Sequence, residues 1–183
     1  MDSRSKLKRV VISGPESSGK TELAAALAKE FKTIWVPEYA RTYVENLDRP
    51  YTFHDVEMIA KVQVVMEAEF AEMASNNLLI FDTWMVITKV WFDVVYGHCP
   101  QWIIEHIRAS EIDLFLVCDT DLPWVPDGVR ENGGQKREDL FKLYCEELMT
   151  FGFKYEIVSG IEDSRLQNAI KALKKNNIVQ YFV

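Results

Sequence analysis

Residues 14–21 read GPESSGKT and meet every fixed position of the phosphate-cradling loop G-x-x-x-x-G-K-[S/T]. No other feature of the chain restricts the fold as tightly, because such a loop works only between a strand and a helix. Residues 8–13 supply a short apolar strand ahead of it, and residues 21–29, TELAAALAK, a helical pattern behind it. Gly14 and Gly19 let the backbone turn its N–H groups toward a β-phosphate, and the helix opening at Lys20 adds its positive end. Lys20 is then placed to reach the β- and γ-phosphates, and Thr21 carries the hydroxyl that such loops use for Mg²⁺. Glu16, Ser17 and Ser18 complete the nucleotide-binding loop. The implied ligand is a nucleoside triphosphate, with ATP and Mg²⁺ as the expected cofactors.

Apolar runs of strand length recur between helical patterns, at residues 9–13, 33–37, 78–81, 114–118 and 155–158. That rhythm predicts an α/β P-loop NTPase fold, a parallel sheet flanked by helices. Thr52, with Asp55 three residues on, reads as the N-cap of a long amphipathic helix reaching about residue 74. Two further helices are expected at 84–96 and 101–109, and a last one, capped by Asp163 or Ser164, running to about residue 175. Residues 127–137, DGVRENGGQKR, interrupt the pattern and are expected to form a short mobile lid. With 183 residues, 48% of them apolar, the chain is expected to form one P-loop domain over 1–183. A net charge of −7 argues against nonspecific nucleic-acid or membrane surfaces, so the expected partner is a small nucleoside-like molecule; a homo-oligomer is left open. Three cysteines without C-x-x-C spacing read as reduced thiols, and no leader-like segment precedes the first strand, so a cytoplasmic location is expected.

In parallel sheets ligands sit beyond the carboxyl ends of the strands, which directs attention to the polar residues there. The second strand runs into Glu38, Tyr39 and Arg41, and the third into Asp82. Asp82 has the form of an acidic strand end that holds Mg²⁺, and it can equally cap the next helix. Glu38 can accept a proton from an acceptor hydroxyl while Arg41 binds substrate or phosphate; the same two residues can instead form a surface ion pair. Glu38 and Asp82 are both open as the catalytic base. Arg130 and Arg137 are the cations a closing lid could bring to a transferring phosphoryl group, or they pair locally with Glu131, Glu138 or Asp139. Trp124, beside Pro123 at the edge of that loop, is placed to stack on a flat ring, whereas Trp91, with Phe92 and Val95, reads as core.

Taken together, GPESSGKT at 14–21, VPEYAR at 36–41, Asp82-Thr83 with Tyr96-Gly97, and PWVPDGVR at 123–130 resemble the ribosylnicotinamide kinase domain of the NadR type. The resemblance implies transfer of the γ-phosphate of ATP to the ribose 5′-hydroxyl of nicotinamide riboside, giving nicotinamide mononucleotide. It further implies that Gly19, Lys20 and Thr21 hold ATP and Mg²⁺, that Glu38, Tyr39 and Arg41 line the acceptor site, and that Trp124, Asp127 and Arg130 belong to the closing loop. The chain departs from the pattern at Trp84, where family members commonly carry an acidic residue. Larger members add a nucleotidyltransferase domain whose histidine motif is not found here, so at most the kinase step is expected. Two alternatives stand beside this reading: a regulatory ATPase- or GTPase-like module without a small acceptor, and a kinase of another nucleoside.

Overall fold

The structure is a computed structural model that describes residues 6–126 and 132–180. Five strands, β1 (Lys8–Ser13), β2 (Ile34–Val36), β3 (Leu78–Asp82), β4 (Leu114–Cys118) and β5 (Tyr155–Val158), form one sheet in the order β2-β3-β1-β4-β5. Every pairing is parallel. Seven helices connect and flank them among the described residues: α1 (Lys20–Glu30), α2 (Tyr39–Glu45), α3 (Phe53–Met73), α4 (Met85–Tyr96), α5 (Gln101–Ala109), α6 (Gln135–Thr150) and α7 (Asp163–Lys175). The fold is that of a P-loop NTPase. None of the helices is long and apolar enough to cross a membrane.

Strand alternation distributes the sheet between two cores. Val10, Ile12, Ile80 and Leu116 face α1 and α7, whereas Val11, Leu79, Phe81 and Phe115 face α3, α4, α5 and α6. Both faces are thus covered, which is why the strands read as nearly continuous apolar runs. The strand expectations are met within a residue or two at each end. β2 stops before Pro37, which has no N–H to give a ladder, and β3 extends to Asp82 because Ile12 and Asp82 stand opposite each other in the register.

Thr52 does cap α3: its hydroxyl accepts from the Asp55 N–H and the Asp55 carboxylate accepts from the Thr52 N–H. Asp55 also accepts from Tyr43 Oη (2.8 Å) and from Arg49 Nη1 and Nη2 (2.7 and 2.9 Å), tying α2 and the connection that follows it to the start of α3. Three expectations are corrected. α4 begins one residue late, because Trp84 stays extended and buries its ring against Phe115 and Phe153. The N-cap of α7 is Glu162 at φ +49°, and neither Asp163 nor Ser164 fills that position. The segment expected as a lid is helical from Gln135 onward, while its residues 127–131 lie outside the described residues.

The Asp55 carboxyl is held well below the usual carboxylate range, first by Arg49 and then by Thr52. Its contribution to stability is therefore complete above the carboxyl's ordinary titration range and fades as pH falls through the depressed value. Asp55→Asn is expected to lower the melting temperature at neutral pH, with the gap to the parent protein narrowing on acidification. A gap independent of pH, measured by differential scanning calorimetry, would contradict this.

Candidate active site

Between β1 and α1 the backbone is forced through conformations that only glycine tolerates well. Gly14 has φ +135°, and a Cβ there would lie 2.8 Å from the Cys118 carbonyl oxygen and 2.9 Å from Ser18 Oγ. Ser18 Oγ and Lys20 Nζ both donate to the Pro15 carbonyl, at 2.8 and 2.9 Å, so the lysine folds back over its own loop. Thr21 Oγ1 donates to Asp82 Oδ2 at 2.6 Å, which joins the first turn of α1 to the end of β3. Thr83 follows at φ +65°, an uncommon conformation for a β-branched residue, held by its N–H on the Ile12 carbonyl.

Asp82 is 1% exposed, and its Oδ1 has no hydrogen-bond partner among the described residues. Burial pushes its carboxyl upward, opposed by the Thr21 hydrogen bond and the Lys20 charge. A buried carboxylate oxygen without a donor, next to a hydroxyl, is a fitting pair of oxygen ligands for Mg²⁺, which takes few protein groups and completes its shell with phosphate and water. Among the described residues no cluster of three or more His, Cys, Asp or Glu could hold a metal by itself.

The loop opens into a cavity of about 500 Å³ lined on one side by Lys20, Thr21 and Glu16 and on the other by α2, α3, α4 and α6. Glu38 and Arg41 both line it. Glu38, the N-cap residue of α2, accepts no hydrogen bond from the described residues, and burial raises its pKa, with Lys20 pulling it down and Asp82 pushing it further up. Arg41 is also engaged with Glu45 Oε1 at 3.0 Å. Glu16 accepts from the Asn132 N–H and Nδ2, at 2.9 and 3.1 Å.

Other expected site residues lie elsewhere. Tyr39 turns its ring to Tyr43, with centroids 5.9 Å apart, and does not line the cavity. Nor does Trp124, against whose ring a Cβ on Gly133 would stand at 3.1 Å. Asp127 and Arg130 fall outside the described residues. Arg137 is 5% exposed and donates to the carbonyls of Leu122 (2.7 Å) and Ser17 (3.0 Å) from beneath the loop. Its guanidinium braces the loop backbone and does not line the cavity, because α6 already begins at Gln135 and turns Arg137 inward while the rest of its first turn stays exposed.

The far end of the cavity holds residues that the sequence reading did not single out or read differently. Tyr51 and Trp91 meet edge to face with centroids 4.9 Å apart and both line the cavity, while Trp91 also packs against the larger core, as its spacing with Phe92 predicts. Gln63 is 5% exposed, and its Nε2 is buried without a partner among the described residues. One signal was available: Gln63 continues the buried stripe Val56, Ile59, Ala60 of α3, where a polar residue needs a reason. A second cavity, of about 490 Å³, lies across the loop, sharing Ser17, Gly19 and Glu22 and walled by Leu122, Pro123 and Leu166.

The chain belongs to the AAA domain family, whose model matches residues 9–165. It is similar to the trifunctional NAD biosynthesis/regulator protein NadR of Escherichia coli strain K12, with 27% identity over 177 residues covering 92% of this chain and 42% of that protein. The NadR protein of Salmonella typhimurium strain LT2 is 28% identical over 149 residues, covering 78% of this chain and 36% of that one. The chain therefore spans less than half the length of these curated relatives. Among solved structures, NadR protein in complex with NR has a TM-score of 0.72 at 22% identity, covering 96% of this chain and 52% of that chain. NadR in complex with NAD and AMP-PNP gives 0.69 at 23%, covering 96% and 51%. Thymidylate kinase from Ehrlichia chaffeensis gives 0.66 at 12%, covering 91% and 98%. The resemblance drawn from the motifs, to a NadR-like P-loop domain, holds.

Lys20 supplies the fixed positive charge of the loop, so Lys20→Ala is expected to leave the circular dichroism spectrum unchanged and to lower turnover of ATP by roughly 10²-fold or more. Unchanged turnover together with unchanged nucleotide affinity would refute the phosphate-site reading.

Proposed function

We propose that this chain is an ATP-dependent, Mg²⁺-assisted phosphotransferase acting on the 5′-hydroxyl of a nucleoside, with nicotinamide riboside as the acceptor. The observation that carries the proposal is Glu38, a carboxylate that accepts no hydrogen bond from the described residues, raised in pKa by burial, in the cavity that also contains Lys20 and Thr21. A module that only binds or slowly hydrolyses a triphosphate needs no such enclosed space beyond the phosphates. A kinase needs one, with a proton acceptor at its mouth.

In this reading Lys20 leaves the Pro15 carbonyl for the β- and γ-phosphates, and Thr21 and Asp82 hold Mg²⁺, which neutralises phosphate charge when bound. The donor's base takes the second cavity, between Leu122, Pro123 and Leu166. The acceptor lies in the first cavity, its hydroxyl against Glu38. Glu38 takes the hydroxyl proton as the oxygen bonds the γ-phosphorus, and the bond to the β,γ-bridging oxygen breaks to release ADP. Because burial raises its pKa, Glu38 is a better base than an exposed carboxylate. The rings of Tyr51 and Trp91 offer faces and edges to a planar base, and an electron-poor pyridinium suits such walls. The Gln63 amide offers a buried donor to the acceptor's own carboxamide oxygen. Resemblance in the sequence motifs, NAD biosynthesis in the names of the relatives, and NR bound to a NadR protein of the same fold support the choice of acceptor.

The direct test is release of ADP from Mg²⁺-ATP in the presence of nicotinamide riboside, with the product identified by mass. Acceptor-dependent ADP and nicotinamide mononucleotide are expected. ADP released at the same rate without acceptor would point to a regulatory ATPase, and dependence on a different nucleoside would move the specificity. Glu38→Gln is expected to lower acceptor phosphorylation by roughly 10²-fold while the Kd for ATP stays unchanged. Its pH profile should also lose the rise that the parent enzyme shows as the carboxyl ionises. Gln63→Leu is expected to raise the KM for the acceptor by roughly tenfold with the KM for ATP unaltered, since a buried amide is traded for an apolar group where the acceptor needs a donor. Equal effects on both KM values would place Gln63 in the structure alone.

A further inference from the structure

Two buried arginines from different helices reach the same short stretch of the phosphate loop from behind. Arg137 of α6 donates through Nη2 to the Ser17 carbonyl at 3.0 Å, and Arg165 of α7 donates through Nη1 to the Ser18 carbonyl at 2.9 Å. They are 5% and 4% exposed. Arg165 is itself fixed by Nε on the Gly160 carbonyl (2.8 Å) and by an ion pair with Asp121, whose other oxygen accepts the Gly160 N–H. Arg137 is fixed by the Leu122 carbonyl at 2.7 Å. The two guanidiniums thereby link the loop after β1 to the segments that follow β4 and β5.

Peptide planarity gives this arrangement a consequence for phosphate binding. In a trans peptide the C=O and the N–H of the next residue point in opposite directions. Holding the Ser17 and Ser18 carbonyls outward therefore aims the N–H groups of Ser18 and Gly19 the other way, toward the concave side of the loop. Neither amide is bonded to backbone among the described residues. Each carbonyl faces a cation, which also polarises its peptide and makes the N–H at the other end a stronger donor.

We infer that Arg137 and Arg165 are positioning residues that aim the Ser18 and Gly19 amides at a polyphosphate. They touch neither the acceptor nor the transferred group. The inference rests on the loop being a phosphate site but not on the identity of the acceptor. Arg165 had no place in the motif reading, and this role for Arg137 differs from that of a cation carried to the phosphates by a lid.

The test compares the affinities of the full chain for ATP, inorganic tripolyphosphate and adenosine in Arg137→Gln, Arg165→Gln and the milder Arg165→Lys and Asp121→Asn. The Gln variants are expected to bind ATP and tripolyphosphate roughly tenfold or more weakly, as loss of hydrogen bonds from charged donors implies, with adenosine affinity unchanged in Arg137→Gln, because Arg137 does not line the second cavity whereas Arg165 does. Arg165→Lys should recover part of the loss, and Asp121→Asn should reproduce part of it with both arginines still present. ATP affinity within twofold of the parent in both Gln variants would overturn the inference. So would equal weakening of ATP and adenosine in Arg137→Gln, which marks a general structural role; for Arg165 the deciding ligand is tripolyphosphate, which has no base to reach the second cavity. Should Arg165→Gln fail to fold, Arg165→Lys and Asp121→Asn decide by the same comparison. Failure of the parent protein itself to bind tripolyphosphate would instead remove the phosphate-site reading beneath it.

Discussion

A loop that cradles phosphate must keep several backbone N–H groups away from protein partners and aimed at one point, an arrangement a free chain has no reason to adopt. Most of what surrounds residues 14–21 can be understood as support for it. Gly14 passes the Cys118 backbone closer than any side chain permits, and Ser18 ties its hydroxyl to Pro15 across the turn. β1 lies at the centre of the sheet, hydrogen-bonded to β3 on one side and β4 on the other, so the loop leaves from the most constrained strand. The same register brings Asp82 level with Ile12, within reach of Thr21. The Asp82 carboxylate is therefore positioned by strand pairing and needs no loop of its own.

The two cavities flank this loop and are built differently. The first is lined by α2, α3, α4 and α6, and its walls are fixed by polar contacts between elements distant in sequence. Asp55 gathers Tyr43, Arg49 and Thr52 at the connection that carries Tyr51 into the cavity, and Lys89 of α4 bridges to Glu147 of α6. The opposite cavity is bounded by short segments after β4 and β5, held together chiefly through Asp121 and Arg165. The first cavity is thus walled in part by aromatic rings and braced between distant elements, whereas the ion pair of Asp121 and Arg165 braces the second.

How far the sequence revealed this follows from the range of each interaction. The phosphate loop, the strands and the α3 capping box depend on neighbours a few residues away, and each carries a local pattern. α6 escaped notice because only Arg137, Tyr144 and Leu148 of its sixteen residues are buried, a stripe too narrow to announce a helix after a glycine-rich stretch. Arg137 was read from its composition as a mobile cation, when helix formation from Gln135 turns it under the loop. Trp91 was assigned to the core with Phe92 and does pack against it, but helical spacing could not show that the same ring also walls a cavity. Arg165 had no local signal at all; its partners come from residues 18, 121, 158 and 160, which only the fold assembles.

In the sequence Glu38 was favoured as the base with Asp82 as its competitor, each at the end of a strand, and the structure gives the two different surroundings. Asp82 spends one oxygen on Thr21 at 2.6 Å, sits beneath the first turn of α1, and leaves the other oxygen buried without a donor. Such an oxygen suits a cation, and Asp82 does not line the cavity that Glu38 lines. Glu38 stands at the start of α2 with no donor from the described residues, facing the open volume, and its proton affinity is raised chiefly by burial. The Asp82 charge also raises the pKa of Glu38, so a cation held by Asp82 would remove a repulsion that favours a protonated Glu38. The Glu38 carboxyl is thus tuned from two sides of the loop, pushed up by the Asp82 charge and drawn down by Lys20, and burial decides the net direction.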